Sequence, residues 1–143
     1  MKKYYDIGIN RLSIGLQTSN DELLKEIGRI HNYEEYEKTV EMAKEIGFKN
    51  INSDIIIGIP NQTIYDVEDT INKLINLKLQ HISIYSLILE QGTKLEKLIK
   101  QGKLKTVDEE IERYMYWFSK RKLEENGYIH YEISNFAKPR IYV

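Results

Sequence analysis

The sequence contains no cysteine, so it offers no disulfide, no thiol nucleophile and no thiolate ligand for a metal or cluster. Its formal net charge is −1, which provides no basic surface for nucleic acid or anionic lipid. No run approaches the roughly 18 apolar residues of a membrane span. The start, MKKYYDIGIN, lacks the apolar core of a signal peptide. These absences predict a cytoplasmic globular protein with neither a nucleic-acid partner nor a membrane span.

The 143 residues are enough for a domain with a real core, and strand-like and helix-like segments alternate along them. Strands are predicted at Arg11–Gln17, Asn50–Ile57 and 81–89, with a strand-like tail at 128–136. Capping residues followed by an acid three positions later predict helix starts at Ser19, Asn32, Thr63 and Thr106. Glycines predict helix ends at Gly28, Gly47 and Gly127.

The predicted helices are amphipathic, which indicates one buried face on each. These faces hold Tyr36, Val40 and Ala43 in the second helix, Val67, Ile71, Leu74 and Ile75 in the third, and Ile111, Tyr114, Met115, Phe118 and Leu123 in the last. Strands separated by helices predict right-handed crossovers and a parallel sheet. The sequence therefore predicts about three β/α units followed by a long helix and the tail.

The predicted strands have two unlike faces. In the first, Leu12, Ile14 and Leu16 alternate with polar or small residues, and the other two strands repeat the pattern. A β/α barrel with a polar interior explains this alternation better than a doubly wound sheet, whose strands are apolar on both faces. Barrel sites gather at the carboxyl ends of strands, where Gln17 and the segments 54–58 and 85–90 fall. Asp54 is either part of such a pocket or a structural acid that caps a turn or pairs with a buried arginine.

Five motifs then resemble a known family in order and spacing. They are GINRLSIGLQT (8–18), IGRIH (27–31), DIIIGIPNQT (54–63), HISIYSLILEQGT (81–93) and YEISNFAKP (131–139). This combination resembles the oxygen-independent coproporphyrinogen III oxidase family of radical S-adenosylmethionine (SAM) proteins, which includes the HemW-type haem chaperones. The wording SLILEQGT is more similar to the haem-chaperone branch.

The resemblance implies a partial TIM-like (β/α) radical SAM barrel, oxidoreductase chemistry and a role in haem biosynthesis or haem delivery. Family members bind a [4Fe-4S] cluster through a CxxxCxxC motif and cleave SAM to a 5′-deoxyadenosyl radical. The oxidases decarboxylate coproporphyrinogen III, whereas the HemW type binds haem. Porphyrin or haem is therefore the partner that the resemblance implies.

This chain departs from the family because it has no cysteine. We therefore expect a fragment, with the second half of the barrel (strands four to six of the family) at 1–105 and the start of a C-terminal extension at 106–143. Such a fragment binds no cluster and is expected to be inactive alone. The alternative is a non-enzymatic module that binds haem or a nucleoside. A three-stranded parallel piece has two open edges, which predicts a homodimer through those edges.

The resemblance assigns cofactor-binding roles to Gln17, Arg29, Asp54 and Ile56. It implies that Gln17 bonds the ribose or methionine part of SAM, and that the Arg29 guanidinium engages the methionine carboxylate. Asp54 accepts from the ribose hydroxyls and Ile56 touches adenine. Taken without the family, each has a plainer reading: a strand-end amide, a solvated arginine, a structural acid and a core residue.

Other residues of these motifs receive structural roles. Gly58 and Pro60 shape the turn after the second strand. His31 has no second histidine or cysteine at ligand spacing, so a structural role is predicted rather than metal binding. The sequence predicts neither catalytic nor metal-ligating residues. Tyr85 and Ser86 fall near the substrate and adenine in the family.

Overall fold

The structure, a computed structural model, describes residues 1–139, so positions 140–143 of the predicted 106–143 extension lie outside the described residues. The elements in chain order are α1 (Lys2–Asp6), β1 (Arg11–Gln17), α2 (Asp21–Glu26), α3 (Tyr33–Ile46), β2 (Asn50–Ile57), α4 (Ile64–Asn76), β3 (His81–Ser86), α5 (Lys94–Lys100), α6 (Glu109–Glu125), β4 (Ile129–Glu132) and β5 (Asn135–Ala137). Within residues 1–139, no helix combines the length and apolarity needed to cross a membrane.

The strands form one sheet in the order β1-β2-β3-β5-β4. β1, β2 and β3 are parallel neighbours, which confirms the predicted β/α units, and β1 and β2 have the predicted bounds. The third strand is shorter than predicted because it leaves the sheet after Ser86. The tail is a hairpin rather than one strand, since a turn at positions 133 and 134 separates β4 from β5.

β5 changes what was expected of the sheet edges. It pairs antiparallel with β3 from His81 to Ser83, so the prediction of two open edges is wrong. The Ile84 N–H also donates to the carbonyl oxygen of Ser134 at 2.8 Å. The edge of β3 is thereby covered at its amino-terminal half, and the predicted homodimer through both edges of the three parallel strands does not fit this sheet.

Helices α3, α4 and α6 cover one face of the sheet, and the core lies between them and the strands. The strands contribute Ile51, Ile55, Ile82 and Ile84, which are all buried. Full burial of one such side chain contributes about 1.5–3 kcal/mol. The predicted apolar faces of α3 and α4 are largely confirmed, with Ile75 only partly buried.

The predicted face of α6 is partly wrong. Met115, Ser119 and Leu123 are its buried residues, whereas Ile111 and Tyr114 are 50% and 55% exposed. The buried residues follow an i, i+4, i+8 row, and the partly buried Phe118 also packs against the core, whereas Ile111 and Tyr114 face away from it.

The predicted helix starts are only partly confirmed, whereas the predicted glycine stops are all confirmed. Asn32 and Thr63 cap α3 and α4 as predicted, and Thr63 forms a full capping box with Asp66. The starts predicted at Ser19 and Thr106 are wrong, since Asn20 and Asp108 are the caps. The glycine stops are confirmed, with positive φ at Gly28, Gly47 and Gly127 just after their helices.

Ser19 does not cap α2 because its hydroxyl is used elsewhere. Its Oγ donates to Asp69 Oδ2 at 2.7 Å, and its backbone N–H donates to Thr70 Oγ1 at 2.9 Å. The neighbouring Asn20 caps α2 and also donates from Nδ2 to Asp66 Oδ1 at 2.9 Å. These bonds fasten the carboxyl end of β1 to α4.

Candidate functional site

The turn after β2 is built by a glutamine that the sequence analysis did not single out. The Ile59 N–H donates to Gln62 Oε1 at 3.2 Å, and Gln62 Nε2 donates to the carbonyl oxygen of Ile56 at 3.1 Å. Gln62 is buried, so both bonds are shielded from water. The turn therefore fixes the backbone of Ile56 at the carboxyl end of the strand. The polar NQT that follows Pro60 was the available signal.

Gly58 is required in this turn for two reasons. Its φ is +83°, a conformation that a side chain disfavours. A Cβ placed there would also lie 3.0 Å from the carboxyl carbon of Glu112 on α6. The turn thus allows the start of α6 to approach the carboxyl end of β2.

Gln17 ends β1 in an unusual backbone conformation. Its φ is +73°, and the register with β2 shifts between Gly15 and Gln17. A Cβ on Gly15 would lie 3.0 Å from Gln17 Nε2, so the amide lies beside that glycine. Gln17 is only 8% exposed, yet among residues 1–139 its side-chain amide has no hydrogen-bond partner. The amide is therefore available to a ligand at this end of the sheet.

Asp54 lies on β2, which is the middle one of the three parallel strands. Its neighbours in register are Gly15 on β1 and Ser83 on β3. Asn52 Nδ2 donates to Asp54 Oδ1 at 2.9 Å, and within the described part of the chain Oδ2 has no partner. Asp54 therefore caps no turn, and no arginine of the described residues pairs with it.

A cleft of about 370 Å³ lies at the carboxyl ends of the strands. Its lining consists of Ile27, Gly28, Arg29, Ile56, Leu87, Ile88, Leu89, Glu90, Thr93 and Leu95. Segment 85–90 was predicted at this end of the strands, but 87–89 were assigned to the third strand, whereas β3 ends at Ser86 and these positions belong to the loop that lines the cleft. Gly92, with φ +86°, and the helix cap Thr93 shape this loop before α5.

Arg29 is carried into the cleft by the loop between α2 and α3. Gly28, with φ +80°, ends the α2 segment, and His31 Nε2 lies 3.3 Å from the carbonyl oxygen of Leu16. This contact agrees with the structural role predicted for His31. Arg29 is exposed, and its guanidinium has no partner among the described residues.

The structure thus brings Arg29 and Ile56 into one cleft. Gln17 and Ile56 line a second, smaller cavity between the sheet and α4. Asp54 lines neither space, although it is next to Gly15 in register and hence close to the Gln17 amide. The four residues share one end of the sheet, and their roles toward a ligand stay predictions.

Toward the amino ends of the same strands, polar side chains bond to each other. Asn52 Nδ2 donates to Ser13 Oγ at 2.9 Å, and Asn52 Oδ1 lies 2.5 Å from His81 Nδ1. The Ser83 hydroxyl is within hydrogen-bond distance of Asn52 Oδ1 and Asn135 Oδ1. These side chains form a continuous network across β1, β2, β3 and β5.

His81 is the titratable centre of this network. Asn52 Oδ1 can only accept, so the neutral imidazole donates from Nδ1, and its Nε2 accepts from the Tyr131 hydroxyl. Burial lowers the pKa of His81 below its usual 6.5, the charge of Arg11 lowers it further, and the Asp54 carboxylate opposes both. In residues 1–139, no group of three or more histidine, aspartate or glutamate side chains is arranged to hold a metal ion.

Comparisons with known proteins agree with this architecture. A model of the radical SAM superfamily matches residues 1–74. The chain is 43% identical over 138 residues to a protein from Bacillus subtilis named heme chaperone HemW, covering 96% of this chain and 36% of that protein. It is 36% identical to the zebrafish protein named radical S-adenosyl methionine domain-containing protein 1, mitochondrial, covering 96% of this chain and 31% of that protein.

The fold has a solved counterpart. The coproporphyrinogen III oxidase HemN from Escherichia coli, described as a radical SAM enzyme, superposes with a TM-score of 0.81 at 24% identity. The superposition covers 97% of this chain and 32% of the HemN chain, and it supports the likeness of fold alone. The chain spans about a third of the length of the curated relatives that it matches. Because the superfamily model matches more than half of its residues, the chain belongs to the radical SAM superfamily.

Proposed function

We propose that the carboxyl-end cleft is part of a SAM-binding site, with Gln17, Arg29, Asp54 and Ile56 as its contributors from this chain. One observation carries the proposal. Gln17, Arg29 and Asp54 each keep a hydrogen-bonding group without a partner among the described residues: Arg29 lines the cleft, Gln17 ends β1, and Asp54 lies beside Gly15 in register. Barrel folds place their ligands at that end. A volume of about 370 Å³ also falls in the range of small-molecule pockets.

Each residue suits a different part of SAM. The Arg29 guanidinium matches the methionine carboxylate, since its planar fork can donate two parallel hydrogen bonds. The unpartnered Oδ2 of Asp54 accepts from a ribose hydroxyl, while Asn52 holds Oδ1. The Gln17 amide can both donate and accept, which suits the hydroxyls of the ribose. Ile56 provides an apolar surface for adenine.

The second cofactor of the superfamily does not fit this chain. Radical SAM proteins use a [4Fe-4S] cluster, which supplies the electron that cleaves SAM when both are bound, and the cluster is held by cysteine thiolates. This chain has no cysteine and therefore no thiolate that could hold the cluster. Its proposed contribution is to bind and orient the nucleoside and the methionine carboxylate.

We propose porphyrin or haem as the substrate. This proposal is supported by the names of the relatives, heme chaperone HemW, at 43% identity in Bacillus subtilis and 41% in Lactococcus lactis. A role in haem delivery, in the cytoplasm, is the function that we propose for the protein that uses this site.

A non-enzymatic haem-binding module is the second candidate, because the same relatives are named as chaperones. The histidines differ in their availability as ligands. His81 is 3% exposed and both of its ring nitrogens are engaged, so it is the least available. His31 and His130 make single-nitrogen contacts of 3.2–3.3 Å to carbonyl or hydroxyl oxygens, which a ligand can replace at smaller cost.

Calorimetry with SAM, S-adenosylhomocysteine and haem tests both candidates. We expect weak SAM binding by the wild-type chain and a further loss of about tenfold or more in Asp54→Asn, since a hydrogen bond to a charged group is worth about 1.5–3 kcal/mol. Glu41→Gln, an exposed acid on α3, is the matched control. Equal SAM affinity in wild type and Asp54→Asn would contradict the assigned site. Haem binding without any SAM binding would favour the second candidate.

A further inference from the structure

The outer side of α6 carries an apolar stripe that the core does not use. Ile111, Tyr114 and Trp117 are 50%, 55% and 56% exposed, and Phe118, which packs partly against the core, borders them. Their spacing of three or four residues places them on one side of the helix. The outer side of a helix that packs on a sheet is ordinarily polar. This stripe, positions 111–118, is therefore a surface of the kind found at protein interfaces.

Two grooves run along the stripe and meet at Tyr114. One, of about 500 Å³, lies between α6 and the start of α4 and is lined by Gln62, Thr63, Ile64, Glu110, Ile111 and Tyr114. The other, of about 270 Å³, is lined by Tyr114, Trp117, Phe118 and Arg121. Together they form a continuous apolar depression that extends from Glu110 to Arg121.

The charges at the two ends of this depression are opposite. Glu109, Glu110 and Glu112 lie in the first turn of α6, and Lys120, Arg121 and Lys122 lie toward its end, where Glu124 and Glu125 follow and Glu124 pairs with Lys120. Glu110 is exposed, and among the described residues its carboxylate pairs only with Arg113 of its own helix, at 3.0 Å. Arg121 is exposed and has no ion pair among residues 1–139. Positions 110, 114, 117 and 121 follow one another by four, three and four residues, so acid, aromatic pair and base form a single row.

We propose that this face of α6 pairs with the same face of a second copy of the chain, antiparallel and about a two-fold axis. In that arrangement Glu110 of one copy lies against the partner's Arg121, and the contact occurs twice by symmetry. The midpoint between positions 110 and 121 falls between Tyr114 and Trp117, so the aromatic side chains meet at the centre. The row is thus complementary to itself in both apolar surface and charge, which favours a second copy over an unrelated partner.

The size of the surface sets the strength of the pairing. Aromatic side chains bury roughly 150–250 Å² each when fully covered, so half-exposed Tyr114 and Trp117 contribute roughly 100 Å² apiece. With Ile111, Phe118 and the flanking charged side chains, two copies approach the roughly 1,000 Å² of a specific interface. The dimer is therefore weak and depends on concentration. This inference is independent of the proposed SAM site.

Trp117 is the only tryptophan in the chain, so its fluorescence reports directly on the interface. We expect its emission to shift to shorter wavelength as the chain is concentrated, while the light-scattering mass rises from 17.0 kDa toward twice that value. Trp117→Ala is expected to keep the far-ultraviolet circular dichroism of the wild type and to remain monomeric. A mass that stays at one chain at every concentration would overturn the proposal.

Charge reversal tests the antiparallel geometry. Glu110→Arg and Arg121→Glu are each expected to weaken the dimer by about tenfold, equivalent to about 1.4 kcal/mol, because like charges then meet twice. The double variant Glu110→Arg/Arg121→Glu is expected to recover the wild-type dissociation constant. Glu34→Arg, which removes a similar Glu–Lys pair on α3, is the control and is expected to leave the dimer unchanged.

If the double variant is weaker than either single variant, the two charges do not face each other and the pairing is wrong. Glu110→Arg could weaken the start of α6. In that case, the dimer dissociation constants of Glu110→Gln, Arg121→Gln and their double variant test the same contact without bringing like charges together.

Discussion

The two ends of the parallel strands use their polar side chains in opposite ways. Toward the amino ends, Asn52, His81 and Ser83 bond to one another and to the hairpin. At the carboxyl ends, Gln17 and Arg29 keep their polar groups without partners among the described residues. A polar residue in a sheet therefore has a structural role where its hydrogen bonds are already made, and it indicates a binding site where they are not.

Asp54 joins the two regions, because one of its oxygens belongs to each. Oδ1 accepts from Asn52 in the network, whereas Oδ2 has no partner among the described residues and is the atom proposed to meet a ligand. The network thus holds the carboxylate in place before any ligand binds. Such preorganisation reduces the entropy lost on binding.

The largest expected effect is on the network. Asn52 is only 4% exposed, and Asn52→Ala removes a partner from His81 Nδ1 and from the Ser83 hydroxyl, both in buried residues. Leaving buried groups unpaired costs about 1–3 kcal/mol each, so we expect the free energy of unfolding to fall by about 3 kcal/mol. Urea denaturation measures the change, with the exposed Asn76→Ala as control. Equal stability of the two variants would contradict a structural role for the network.

The next largest effect is a loss of SAM affinity at the carboxyl ends of the strands, with the free energy of unfolding nearly unchanged. Arg29→Ala removes an exposed guanidinium without a partner among the described residues, so its unfolding free energy is expected within about 0.5 kcal/mol of wild type. Its affinity for SAM is expected to fall by about tenfold to a hundredfold. Lys49→Ala, another exposed cation, is the calorimetric control. Loss of stability with unchanged affinity would reverse the assignment of the two ends.

A smaller loss of stability is expected from a substitution in the turn that follows β2. Gly58→Ala imposes a left-handed conformation on alanine, which costs about 1–2 kcal/mol, and also crowds Glu112. Gly102→Ala is the matched control, since its φ is +72° and no atom lies within 4 Å of the added Cβ. We expect Gly58→Ala to be the more destabilised of the two in thermal unfolding. If the two variants lose the same stability, the approach of Glu112 does not constrain the turn.

The smallest effect is the pH dependence contributed by His81. Its pKa is lowered in the folded protein by burial and by Arg11, so the unfolded chain binds the extra proton more readily. This contribution to stability is fully present above the usual pKa of 6.5 and is lost as the pH falls through the lower folded value. We expect the unfolding free energy to decline below about pH 6.5, and to decline less in His81→Gln. Equal slopes in urea titrations of both proteins would exclude His81 as the cause.

Local patterns in the sequence predicted much of the fold. Alternation gave the bounds of β1 and β2 and separated the polar face from the core face. The hairpin was missed because β5 has three residues and is stabilised by pairing with β3, which no local pattern reveals. Ser19 was mistaken for a cap because its bonds to Asp69 and Thr70 are about fifty positions distant in sequence.

The candidate site was predicted less completely. The family motifs selected Gln17, Arg29, Asp54 and Ile56, and all four lie toward the carboxyl ends of the strands, but their roles stay predictions. Segment 85–90 was predicted at this end, but positions 87–89 were assigned to the strand rather than to the cleft wall, because an apolar run such as SLIL is typical of a strand whether or not it has a neighbour to pair with. The orientation of α6 depends on which row of apolar residues meets the sheet, and a helix with apolar residues on several sides does not specify that row.

A nuclear magnetic resonance titration of the ¹⁵N-labelled chain with SAM tests the division between the two ends most directly. The account predicts that amide shifts concentrate at 15–17, 28–29, 54–58 and 87–93, with little change at Ser13, His81 and the β4–β5 hairpin. Shifts centred on the hairpin and His81, or spectra unchanged at saturating SAM, would contradict it.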